Sequence, residues 1–412
     1  MMKPAENIDP GAASWRLKLA VLTMAHAVGT LGMMSVLALA PLIQAELKFS
    51  ATEFGLLIAA YGGSTALASP VAGQVADRVG VGRTLALSMI VLAAGVFLFS
   101  RTHHLSTGMI AMGALGIGYA FINPATARGV MDWAPIARRA TGMGIKQTGV
   151  PLGGILAAGT ALLGASVGWR STLLYLAGLS LVATLPCAGI ARARQPRVAA
   201  AGTFLSVWPT LLANRNLGAI SLATAGFNVC QASYFGFLTL FMKDAVGVSH
   251  TVAGLCLGIA QAAAATGRLA WGIVGDRAFA GRRKRLYVYL GASASLLFAV
   301  FACVQRDWAV FAIVAAVSLG LTIGSYAAIV QTMVVEAVPP AQAGAASGYY
   351  LFLISLGSML GPMLFGMLVD FTGGYSAGWI FLAIVGALAT SVLLLGFSDH
   401  RQWRAQEPST AS

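Results

Sequence analysis

The stretch Gly73-Gln-Val-Ala-Asp77-Arg78-Val-Gly80-Val-Gly-Arg83 directly follows an apolar run and precedes another. It recurs once in the chain. Gly55 and Gly73 with Asp77-Arg78 match Gly254 and Gly272 with Asp276-Arg277, at one constant offset of 199 residues, and a basic cluster, Arg282-Arg283-Lys284-Arg285, follows the second copy. A charged, glycine-rich break between apolar runs, repeated half a chain later, indicates two related halves built from membrane-spanning segments.

The surrounding composition agrees. The 412 residues are 58% hydrophobic and 9% charged, with 49 glycines, whereas a soluble domain carries about 25% charged residues. Mean hydropathy is +0.80. Such a chain cannot cover a water-facing surface, so lipid must solvate it. The net charge of +13 does not indicate nucleic acid, because the basic residues are scattered in short clusters between apolar runs. Residues 1–14 are polar, and the apolar run after them is too long for the core of a signal peptide, so a retained first span is expected.

Twelve spans are predicted: Leu17–Ile43, Phe54–Ala76, Thr84–Phe99, Thr107–Val130, Ala140–Ala165 and Ser171–Ile190, then Leu217–Met242, Val252–Val274, Leu286–Val304, Ala309–Val335, Ala345–Val369 and Gly378–Phe397. In hydrocarbon each backbone amide must be paired within its own segment, so the spans are helices. The expected architecture is an all-α integral membrane protein with two pseudo-symmetric six-helix bundles. These are residues 1–190 and 217–412, joined by a linker at 191–216 in which 204–212 could form an interfacial helix.

Eighteen Lys and Arg residues fall on the side of the two repeated loops and five on the other. This bias predicts that both termini are cytoplasmic, in the cytoplasmic (inner) membrane. The four cysteines (Cys187, Cys230, Cys256 and Cys303) lie in apolar runs without metal-ligand spacing, so neither a disulfide framework nor a zinc site is expected, only small buried side chains.

The repeated loop resembles the cytoplasmic signature loop of the major facilitator superfamily. The resemblance extends through span number and halves along essentially the whole chain. It implies a monomeric secondary transporter working by alternating access, with no cofactor. It also implies that Asp77 docks on the N-terminus of the eleventh span and Asp276 on that of the fifth. Arg78 or Arg83 would pair with Asp132, and Arg277 or Arg282 with Glu336, forming a gate. Gly144-Ile-Lys146-Gln147-Thr-Gly149-Val-Pro151-Leu-Gly153-Gly154 is similar to the family's glycine–proline fifth helix, although Val150 separates glycine from proline where the antiporter form joins them. No phosphate-cradling loop with its lysine is present, so ATP drive is not expected. Nor do catalytic groups gather in a polar site, so no enzyme activity is expected.

All thirteen acidic residues sit in tails, loops or span ends, yet Lys146 and Arg268 lie well inside spans, one in each half; a third such residue, Arg128, has Asp132 four residues on as a partner. At 1.5 Å per residue both Lys146 and Arg268 are about 10–12 Å inside the cytoplasmic boundary. A buried cation without a counter-charge is costly and belongs in a wet cavity with a function. The plainest inference is an anionic substrate, a small carboxylate, moved with a proton or by exchange. Arg268, in Gly267-Arg268-Leu-Ala-Trp271-Gly272, resembles the eighth-span arginine of monocarboxylate and oxalate-type carriers. Lys146-Gln147 resembles the fifth-span pair of cyanate-permease-like members. Gln147, Asn228, Gln231, Tyr61, Tyr326, Tyr349 and Gln261 fall at cavity depth, and His26 is a candidate proton carrier, being the mid-span group with an ordinary pKa near 7. The competing expectation is an efflux carrier for neutral or hydrophobic drug-like compounds. A sensor built on a carrier scaffold would need a soluble module, for which the fifteen residues after Phe397 leave little room.

Overall fold

The computed structural model describes residues 10–135, 138–190, 213–279, 282–338 and 343–398. Fifteen helices account for nearly all of them, and no strand occurs among the described residues. The first half contains α1 (Pro10–Ala38), α2 (Ala40–Leu47), α3 (Ala51–Val79), α4 (Val81–Ser100), α5 (Leu105–Trp133), α6 (Arg139–Gln147), α7 (Gly149–Val167) and α8 (Trp169–Gly189). The second contains α9 (Arg215–Asp244), α10 (His250–Arg277), α11 (Arg283–Ala302), α12 (Ala309–Leu321), α13 (Ala327–Glu336), α14 (Ala343–Thr372) and α15 (Ser376–Gly396). Nine helical stretches among the described residues are long and apolar enough to cross a membrane. The other three spans are α3, α9 and the tenth, which is split. Most of the expected linker, 191–212, lies outside the described residues, and so does the expected interfacial helix at 204–212.

Three expected spans prove to be broken, two of them at a proline. The first parts into α1 and α2 because Pro41 has no amide to donate to the carbonyl of Leu37. The hydroxyl of Thr239, on α9 in the other half, donates to that carbonyl at 2.6 Å. The fifth parts at Thr148, where the amide turns back to Ile145 and Pro151 can donate nothing to Gln147. The tenth unwinds over residues 322–326, between α12 and α13.

The glycines of the repeat mark how the halves meet. A Cβ on Gly55 would strike the backbone of Pro362, and one on Gly254 would strike Ala161. Gly62 lies against Ser358, Gly258 against Ala158 and Gly366 against the backbone of Ala51. These contacts join α3 to α14 and α10 to α7, and all lie toward the end away from the repeated loops. Toward the basic end, a Cβ on Gly73, Gly144 or Gly272 would meet open space. The halves are therefore sealed at the far end and parted at the basic end.

Candidate substrate site

In the first half, Lys146 of α6 points into its own bundle. It is fully buried, not in the wet cavity expected of it. Its ammonium donates to Asn123 Oδ1 at 2.7 Å and lies 3.4 Å from the hydroxyl of Thr126, both on α5. Thr126 is also 3.2 Å from Nδ1 of His26 on α1. Lys146, Asn123, Thr126 and His26 thus form one buried polar chain across three helices. Sequence reasoning found Lys146 and His26 separately but missed Thr126, whose small hydroxyl also bonds the carbonyls of Ile122 and Asn123 and looks like ordinary helix back-bonding. Gln147 is half-buried beside this cluster.

In the second half, the unwound segment of the tenth span organises the site. Unwinding leaves backbone carbonyls that must be satisfied from outside the helix. Trp271 Nε1 donates to Leu321 O at 2.6 Å and Gln231 Nε2 to Ile323 O at 2.8 Å. Arg268 Nη2 reaches Gly324 O only at 3.5 Å. Arg268 Nε is buried and finds no acceptor among the described residues. Tyr326, Tyr350 and, from the first half, Tyr119 are the electrostatic neighbours of this guanidinium. None of the three carries a carboxylate.

The other expected site residues are mostly committed to holding helices together. Asn228 Nδ2 donates to Ile354 O and Ser358 Oγ, each at 2.5 Å, and its Oδ1 accepts from Tyr326 at 3.3 Å. Gln261 reaches the sulfur of Met34 at 3.2 Å, and it packs on Gly154 across the seam between halves. Tyr61 pairs with Tyr119 at a ring separation of 6.0 Å. Tyr349 is buried on α14. Gln331, also at cavity depth, has a side chain outside the described residues.

At the basic end, Asp132 is bonded to Arg128 at 3.0 Å and Glu336 to Arg283, so each acid has a partner in its own half. Arg78, Arg83 and Arg277 are exposed, and the side chains of Asp77 and Asp276 lie outside the described residues. No cluster of His, Cys, Asp or Glu fit to hold a metal occurs among the described residues. Cys187, Cys230 and Cys256 are buried as expected, whereas Cys303 is exposed because it caps α11 at the far surface.

Comparison with known proteins places this architecture. The chain is 28% identical over 327 residues to monocarboxylate transporter 11 of Mus musculus, covering 76% of this chain and 72% of that one. It is 26% identical to a hexuronate transporter of Bacillus subtilis, covering 85% and 87%, and 23% identical to a quinolone resistance protein of Staphylococcus aureus, covering 90% and 94%. Among solved structures, a bacterial homolog of the human lysosomal transporter Spinster, inward-facing and unoccupied, superposes with a TM-score of 0.79 at 16% identity, covering 98% of this chain and all of that one. The Major Facilitator Superfamily model matches residues 22–353 and 220–411. With twelve spans in two halves, a seam closed at one end and a family model matched along nearly its whole length, the chain is an integral membrane transporter belonging to the Major Facilitator Superfamily.

Proposed function

We propose that this transporter carries a small organic anion, a carboxylate by preference, and that Arg268 holds its charge. The observation carrying this reading is the buried Nε of Arg268, which has no acceptor among the described residues. An unmet guanidinium donor in hydrocarbon is costly, and a bidentate carboxylate would satisfy Nε and Nη2 together. The tyrosines around it suit an organic remainder that packs against rings and accepts a hydroxyl. The monocarboxylate and hexuronate transporters among the relatives move cargo of that kind.

Residues 1–190 and 217–412 are the two moving units and 191–216 the joint between them. Lys146 and His26 form the coupling element, since protonation of one is felt by the other through Thr126. The site opens toward the cytoplasm, where both termini lie, and the protein resides in the inner membrane. The strong basic bias of the loop side supports this orientation.

Efflux of neutral drug-like compounds is the second reading, supported by the aromatic lining and by the quinolone-resistance relative. A thermal-shift screen against carboxylates, sulfonates and neutral drugs separates the two. The anion reading expects carboxylates to stabilise the wild type but not Arg268→Ala. Stabilisation of both proteins by neutral compounds alone would establish the second reading.

A further inference from the structure

Asp370 stands two residues before the end of α14, and its carboxylate crosses to the other half. Oδ1 accepts from the amide of Ala51 at 3.0 Å, and Oδ2 from that of Thr52 at 2.7 Å. These are the first two amides of α3, which have no partner inside their own helix. Helix α3 does not need Asp370 as a cap. Ser50 and Glu53 already form a complete capping box, with the Ser50 hydroxyl on the Glu53 amide at 3.2 Å and the Glu53 carboxylate on the Ser50 amide at 2.9 Å. Asp370 is an additional carboxylate from the opposite bundle, placed where a helix N-terminus favours negative charge. Gly366, one turn earlier, lets the two backbones approach closely enough for the contact.

We propose that Asp370 is the far-end latch of the carrier, bonded to α3 in the conformation seen here and released when the far end opens. The contact joins the two units that must separate there, and among the described residues the hydrogen bonds of Asp370 go to the opposite half. Asp77 occupies the matching place on the antiparallel neighbour, two residues before the end of α3, at the opposite end of the same helix pair. The α3–α14 pair thus carries one aspartate near each C-terminus, and in this conformation it is Asp370 that is docked on the N-terminus of the other helix. The conformational balance depends on which of the two is docked. This latch is independent of the cargo.

The test uses the full chain in lipid nanodiscs, where both faces are accessible, in a Cys303→Ser background that removes the exposed thiol. Ile58 is buried at the sealed end, with its Cδ1 against Gly236 of the other half. Ile58→Cys therefore reports opening of that end through its rate of labelling by a charged maleimide. Asp370→Asn keeps the shape and removes the charge. Ala51→Pro removes one donor, and Ser50 is already extended (φ −68, ψ 167), as a residue before proline must be. Loss of charge-assisted hydrogen bonds is expected to raise labelling about tenfold in Asp370→Asn, with a smaller rise in Ala51→Pro. Wild-type labelling rates in Asp370→Asn, with an unchanged size-exclusion profile, overturn the proposal. That variant decides alone if Ala51→Pro does not fold.

Discussion

Trp271 Nε1 donates at 2.6 Å to the carbonyl oxygen of Leu321, the last residue of α12, where the tenth span comes apart. The indole belongs to α10, three residues after Arg268, so one helix both props the break open and brings the guanidinium to it. Gln231 of α9 holds the next free carbonyl, Ile323. The break is therefore built into the second bundle by side chains on two other helices, and Tyr326 is placed by the segment they hold.

Trp271→Phe keeps the ring and deletes the donor. The Leu321 carbonyl also accepts from the Ser325 hydroxyl, so the variant loses one of two donors, a net cost of about 0.5–1.5 kcal/mol, and should unfold at a slightly lower temperature by calorimetry in detergent. Carboxylate stabilisation should weaken with it, because Arg268 loses its neighbouring prop. An unaltered transition would show that the Ser325 hydroxyl satisfies Leu321 without the indole.

The Lys146–Asn123 contact predicts a second stability effect. Asn123→Leu removes the nearest acceptor of a fully buried ammonium, at a cost of about 2 kcal/mol for a hydrogen bond to a charged group. Asn123→Asp supplies a carboxylate at the same place and should be the more stable of the two variants. The comparison is read from denaturation midpoints of the purified proteins. A midpoint for Asn123→Leu equal to that of the wild type would mean that Lys146 sits there neutral.

Much of this was legible in the sequence, because the membrane restricts the choices. Apolar runs of spanning length admit only helices, and all but the first, which begins seven residues early at Pro10, appear within about three residues of their expected ends. The repeat at Gly55 and Gly254 pointed to two halves before any packing was known. The breaks were less legible. Pro41 and Pro151 were visible, but the unwinding at 322–326 has no proline, only Gly320, Thr322 and Gly324 in a run that reads as a continuous helix. Side-chain direction was the other limit. Lys146 and Arg268 lie at similar depths, yet one turns into its bundle toward Asn123 and the other lies beside an unwound backbone with a donor unmet. Depth follows from counting residues, whereas direction depends on which neighbouring helix offers an acceptor.

A pH effect is expected at the far surface of the first half. Glu46 of α2 accepts from Trp169 Nε1 at 2.6 Å and Arg170 Nε at 2.9 Å, while Arg170 also caps the carbonyls of Ser100 and Thr102. Partial burial works to raise the carboxyl pKa, but the bonds from Arg170 and Trp169 outweigh it and hold the group below its usual range. A depressed folded-state value means that this stabilisation is present above the ordinary carboxylate pKa of about 4.3 and is lost as pH falls through the folded value. Since Glu46 is half exposed, the effect is small. Wild type and Glu46→Gln should differ slightly in melting temperature at pH 7 and converge in strong acid. A difference that grows on acidification would reverse the sign and remove the assignment.

The open space beside Gly73 and Gly272 gives the most direct test of how the halves move. A Cβ at either position meets nothing within 4 Å in the conformation described, so Gly73→Leu and Gly272→Leu should fold with stability changes within about 0.5 kcal/mol. Gly55 and Gly254, eighteen residues earlier on the same two helices, are packed tightly against the opposite half at the sealed end. If the basic end closes by an equivalent approach, Gly73 and Gly272 must come as near to their own partners, and Leu would then collide with backbone that cannot yield. Spin labels on Arg78→Cys and Arg277→Cys, both exposed at that end, report its width in a Cys303→Ser background without any knowledge of the cargo. The unsubstituted carrier should show a long and a short distance, whereas each leucine variant should show the long one alone. A short population that survives both substitutions would mean that the halves close about some other line, and that the glycines of the signature loop serve the loop rather than the seam.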